Sequence, residues 1–69
     1  MASELLAATE HRVRVTDAEA KALMNDAVAA EHPLALAFGP TGSWLIWTDA
    51  DPWTAERLLE IRRAAKGHN

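Results

Sequence analysis

The sequence predicts a small single α+β domain, with a three-stranded sheet and two helices on one of its faces, in the order β-α-β-β-α. Three observations carry that expectation. Residues 11–15 alternate apolar and polar; two apolar stripes at helical spacing each follow a capping signal; and between the stripes LALAF-GPTG-SWLIWT sets two apolar runs around a turn.

The chain has 69 residues and is expected to be one domain over 1–69, with 1–10 as a flexible N-terminal segment. Ser3 can cap a short helix through Glu4, Leu5, Leu6, Ala7 and Ala8. A helix of about two turns is unstable alone in water, so this segment frays or docks through its leucines.

The first strand is read from His11-Arg12-Val13-Arg14-Val15, with both valines facing inward and both arginines outward. Thr16-Asp17-Ala18-Glu19 then forms a capping box, in which hydroxyl and carboxylate each satisfy the other residue's amide. Behind it Ala20, Leu23, Met24, Ala27 and Val28 form one stripe of a helix over 17–31. Pro33 disfavours α geometry at His32 and sets the end.

The hairpin follows. With Gly39-Pro40-Thr41-Gly42 as its turn and Phe38 opposite Ser43, Leu36 faces Leu45, Leu34 faces Trp47, Ala37 faces Trp44 and Ala35 faces Ile46. One side of the ribbon then carries Leu34, Leu36, Phe38, Leu45 and Trp47. The other carries Ala35, Ala37, Trp44 and Ile46, and a one-residue slip would exchange them.

Asp51-Pro52 opens the last helix, Asp as N-cap and Pro where its missing amide hydrogen costs nothing. Ala55, Leu58, Leu59, Ile61 and Ala65 are its expected buried stripe, with Trp53 sealing the core beside the hairpin. Arg62, Arg63 and Lys66 suit the helix C-terminus and Gly67 supplies a stop. A right-handed crossover from the first strand to the second leaves the third in the middle, a split βαβ arrangement lacking its last strand.

Composition narrows the function. There is no Cys, which removes disulfides and thiolate metal sites. The net charge of -3 runs against bulk polyanion binding, and the acidic excess lies in the first half of the chain. No apolar run reaches the ~18 residues of a membrane span, and the N-terminus lacks a basic signal-like region. A complete cytoplasmic protein is the expectation.

Catalytic signals are sparse. His11, His32 and His68 have no i, i+4 partner, and His32 suits a helix-end role. Asp49 and Asp51 offer two carboxylates to a hard cation, but Asp51 is accounted for as a cap and no third acid lies nearby. Ser3, Ser43 and the threonines have no neighbouring base. No enzyme, cofactor, metal or small-molecule substrate is expected. The GPTG turn matches the GxxG of K-homology domains in letters alone, since there it joins helices and here strands.

The side bearing Ala35, Ala37, Trp44 and Ile46, flanked by Arg12 and Arg14, is the expected contact surface. Leu5 and Leu6 folding over it, a twofold dimer through such faces or through sheet edges, and recognition of another macromolecule are the competing readings. The favoured one is a non-enzymatic protein-interaction module using Trp44, Ile46, Arg12 and Arg14. An acidic helix surface of Asp17, Glu19, Asp26 and Glu31 is expected to dock on a basic patch. Size and composition associate such a chain with phage or mobile-element inhibitors. The split βαβ sheet is similar to the platform on which RNA-recognition motifs stack bases. On that likeness Arg12, Arg14 and Trp44 give the alternative, a small single-stranded RNA- or DNA-binding domain, although TGSWLIWT departs from that family's aromatic pattern.

Overall fold

Five elements follow one another through residues 9–67, the part of the chain that the computed structural model describes. They are β1 (Glu10–Val15), α1 (Asp17–Ala30), β2 (Ala35–Gly39), β3 (Gly42–Thr48) and α2 (Pro52–Lys66). The expected short helix at 4–8 and its leucines lie outside the described residues.

The sheet order is β1-β3-β2, with β3 antiparallel to both neighbours. In the hairpin Ala35 pairs with Ile46, Leu36 with Leu45, Ala37 with Trp44 and Phe38 with Ser43, as the sequence predicts. Leu34 lies just before β2. Pro40 locks its own φ near -65°, so the mirror-image turn that hairpins favour is closed to it. The unusual backbone angle falls instead on Gly42, at φ 135°.

β1 adds Val13 opposite Leu45 and Val15 opposite Ser43. The core is therefore on that side of the sheet: Val15, Ala20, Leu23, Leu45 and Leu58 form one buried cluster. Val13, Leu34, Leu36, Trp47 and Ile61 pack around it. Both helices lie on this side. Burying each Leu contributes about 1.5–3 kcal/mol, so Leu23, Leu45 and Leu58 dominate so small a core.

Helix α1 begins as expected. The Thr16 hydroxyl accepts from the Glu19 amide at 3.1 Å, and the Thr16 amide donates to the Glu19 carboxylate at 2.9 Å. It ends one residue earlier than predicted. Glu31 takes the left-handed conformation at φ 54°, its amide donates to Val28 O and the His32 amide to Ala27 O. That is a Schellman closure, which stops the helix before Pro33 acts.

The predicted stripes are corrected at their margins. Ala20, Leu23 and Ala27 are buried, but Met24 is 41% and Val28 79% exposed. A sheet of three strands is too narrow to cover the whole apolar arc of α1, which overhangs β2. On α2, Leu58 is buried and Ala55 and Ile61 half-buried, while Leu59 and Ala65 are exposed. Thr54, which the stripe omitted, is 1% exposed.

Asp51 caps α2, accepting from the Thr54 amide at 3.3 Å and from its hydroxyl at 2.6 Å. Trp53 does not seal the core beside the hairpin. It packs on His32, with ring centroids 4.3 Å apart, and under the Arg57 guanidinium at 5.6 Å, between the end of α1 and the start of α2. Gly67 ends α2 at φ -69°, a right-handed value that any residue adopts, so its special freedom is not used.

Candidate functional site

The outer face of the sheet is built by strand parity. Residues opposite one another share a face, so Arg12 and Arg14 of β1, Trp44 and Ile46 of β3, and Ala35 and Ala37 of β2 point away from the helices. Across the middle run Arg14, Trp44 and Ala37; beside them run Arg12, Ile46 and Ala35. Ala35 and Ala37 are exposed, Trp44 and Ile46 half-buried.

The Arg14 side chain lies along this face. Its guanidinium carbon sits 5.3 Å from the Trp44 ring centroid, and Nη2 donates to the Thr41 carbonyl at 2.5 Å. Arg14 is thus already used, tying β1 to the turn and shielding the indole. Arg12 remains more open, with a 3.4 Å contact to Glu10. The face therefore presents methyls, an isoleucine and the edge of a covered indole. It lacks an open ring with cations at its rim.

The four acids expected to make one negative surface on α1 are divided by the fold. Asp17 and Glu31 are exposed. Glu19 points at α2, where Arg62 Nε donates to Oε2 at 2.9 Å and Nη2 to Oε1 at 3.2 Å. Asp26 also faces α2, 3.8 Å from Arg57 Nε. Glu19 is therefore paired across the helix interface, and Asp26 lies within ion-pair range of a guanidinium that is closer to Glu60, with Nη1 at 3.0 Å. The expectation of one acidic docking face on α1 is corrected accordingly.

The hydrogen bond from Arg62 holds the Glu19 carboxyl below the ordinary range despite partial burial. For Asp51 burial pushes upward. The Thr54 hydroxyl, His32 and the Thr54 amide outweigh it and hold that carboxyl low. His32 Nε2 is 2.9 Å from Asp51 Oδ1, which links the end of α1 to the cap of α2. The Thr54 hydroxyl in this cluster donates to the carboxylate rather than to the imidazole. A second His–carboxylate pair, His11 with Asp49 at 2.5 Å, closes the start of β1 against the end of β3. His11 also stacks on Trp47, with centroids 5.4 Å apart. Among the described residues no group of three His, Asp or Glu is placed to hold a metal ion. No helix among them is long and apolar enough to cross a membrane.

One feature was not singled out from the sequence. Between α1 and the edge of β2, which has no further strand beside it among the described residues, runs an apolar groove lined by Met24, Val28, Leu34, Leu36 and Phe38. Phe38 faces the helices, yet it is 68% exposed. The available signal was its position at the turn end of an edge strand, where a narrow sheet leaves inward side chains uncovered.

Comparison of the chain with protein-family models, with curated proteins and with solved structures gives no match.

Proposed function

We propose that this domain is a non-enzymatic protein-interaction module whose contact surface is the outer sheet face, centred on Trp44 and Ile46 with Ala35 and Ala37 beside them. The observation that carries this reading is the pairing parity that puts these four apolar side chains on the side opposite both helices. Arg12 and Arg14 at the β1 side supply a polar rim, and a buried centre with a polar rim is the usual anatomy of an interface. Asp17 remains an exposed acid at the start of α1, a secondary contact for a basic partner.

The position of Arg14 favours a protein over a nucleic acid. Base stacking needs an open aromatic face, and phosphate contact needs a cation not already engaged. Here one cation covers the indole and is bonded to Thr41. A phage-type inhibitor of a host protein is the form of such a module that its size and acidity suggest.

The test is affinity capture on the immobilised domain, comparing wild type with Trp44→Ala and Ile46→Lys, each checked for native circular dichroism. A protein retained by wild type and lost by both variants supports the reading. Retention that ignores both substitutions overturns it. Salt-sensitive oligonucleotide binding lost in Arg12→Ala and Arg14→Ala would replace it with the nucleic-acid reading.

A further inference from the structure

The two edges of the sheet are treated differently by the sequence. The β1 edge carries Glu10, Arg12 and Arg14, charges of the kind that discourage pairing with another strand. The β2 edge, Ala35–Gly39, carries none, and the sixteen residues from Pro33 to Thr48 contain no charge at all. An edge strand presents unpaired amides and carbonyls, so an uncharged one is a template for another strand.

Beside this edge, α1 presents a stripe of its own. Lys21, Met24 and Val28 follow at spacings of three and four on the side of the helix away from α2, and Glu31, which closes the helix in the left-handed conformation, comes three residues after Val28. All four are exposed, and Met24, Val28 and Glu31 line the groove with Phe38. The stripe is antisymmetric in charge and symmetric in hydrophobicity. Turned end for end about its midpoint, it sets Met24 against Val28 and Lys21 against Glu31. Neither charge is paired with another among the described residues.

We infer that the occupant of this edge and groove is a second copy of the chain. Two β2 strands pair antiparallel about a twofold axis and give one six-stranded sheet. The two α1 helices meet antiparallel above it, Met24 on the partner's Val28 and Lys21 on the partner's Glu31, with both Phe38 rings covered. An isologous contact requires a surface complementary to itself, and this stripe meets that requirement where the β1 edge does not. The association leaves the outer face open and sets the exposed Ala35 and Ala37 of the two copies side by side. It stands independently of the contact proposed for Trp44.

Sedimentation and light scattering across a dilution series test it on the full chain. Wild type is expected at twice the 7.5 kDa chain mass, dissociating on dilution. Val28→Lys and Phe38→Lys are each expected to raise the dissociation constant by at least about a hundredfold, since both copies lose the same apolar contact. Because both side chains are exposed in the isolated chain, the variants keep native circular dichroism, and either one suffices if the other misfolds. Lys21→Glu and Glu31→Lys alone are each expected to weaken the dimer about tenfold, and the two together to restore it, with the effect reduced by salt. A monomer mass at every concentration overturns the inference and leaves the edge to a strand from another protein. A dimer indifferent to Val28→Lys and Phe38→Lys, or lost in Trp44→Ala, also overturns it. Failure of the reversed pair to restore association overturns the antiparallel helix contact.

Discussion

Arg62 and Glu19 meet by two hydrogen bonds, at 2.9 and 3.2 Å, across 43 residues of sequence. The same Glu19 carboxylate accepts from the Thr16 amide, and the same guanidinium donates to the Arg14 carbonyl at 3.0 Å. One ion pair thus joins the start of α1, the end of β1 and the outer half of α2.

Glu19→Ala removes a capping partner and the bridge together, and should cost about 1–2 kcal/mol in urea unfolding. With the Arg62 side chain 41% exposed, solvent screens the pair, and the Glu19–Arg62 coupling in a double-mutant cycle should be about 0.5–1 kcal/mol. A coupling indistinguishable from zero would show that the bridge is incidental.

Acid should destabilise the domain in a defined direction. Glu19 and Asp51 both have carboxyls held below their ordinary values of 4.5 and 3.8 when folded. The unfolded chain therefore binds protons first, so the stabilisation is whole above the ordinary carboxylate range and is lost as pH falls through the folded values. Asp51→Asn retains capping ability and should flatten this dependence, as should Glu19→Gln. Unfolding midpoints measured from neutral to acid pH decide it, and a variant with an unchanged slope would remove that carboxylate from the account.

Glu31 ends α1 in a conformation that suits glycine. Glu31→Gly is expected to stabilise the fold by about 0.5–1 kcal/mol, some 4–8 °C in Tm per kcal/mol for a domain of this size. The measurement belongs in a Val28→Lys background, where the loss of a contact to Lys21 of a second copy does not offset the gain.

Gly42 and Gly39 flank the same turn and should respond differently. A methyl on Gly42 meets Arg14 Nε at 3.3 Å and sits on a φ of 135°, so Gly42→Ala should cost about 1–3 kcal/mol and move Arg14 from Trp44. On Gly39 the nearest atom is Gly42 O at 3.9 Å, and Gly39→Ala should cost less than half as much. Equal losses would mean that the backbone at Gly42 is free to relax.

Much of the fold was legible because its signals are local. The capping box at Thr16 and Glu19, the Asp51-Pro52 start and the hairpin pairing each depend on residues a few positions apart. The outer face followed from period-two parity, and Trp44 and Ile46 lie where that parity puts them. The acidic helix surface did not survive as a unit, because helical periodicity says which residues share an arc and not which neighbour that arc meets. Met24, Val28 and Phe38 read as core for a related reason. Their pattern is apolar, and only the width of the sheet decides whether anything covers them.

By itself, then, the chain determined the order and kind of its elements and the two sides of its hairpin, since dihedral preference and side-chain alternation act over a few residues. Tertiary structure decided that Arg62 reaches Glu19, that His32 joins Asp51 and that Arg14 lies over Trp44. The first two encounters depend on how two helices settle on three strands and the third on β1 lying beside β3, contacts between distant segments that no spacing along the sequence encodes.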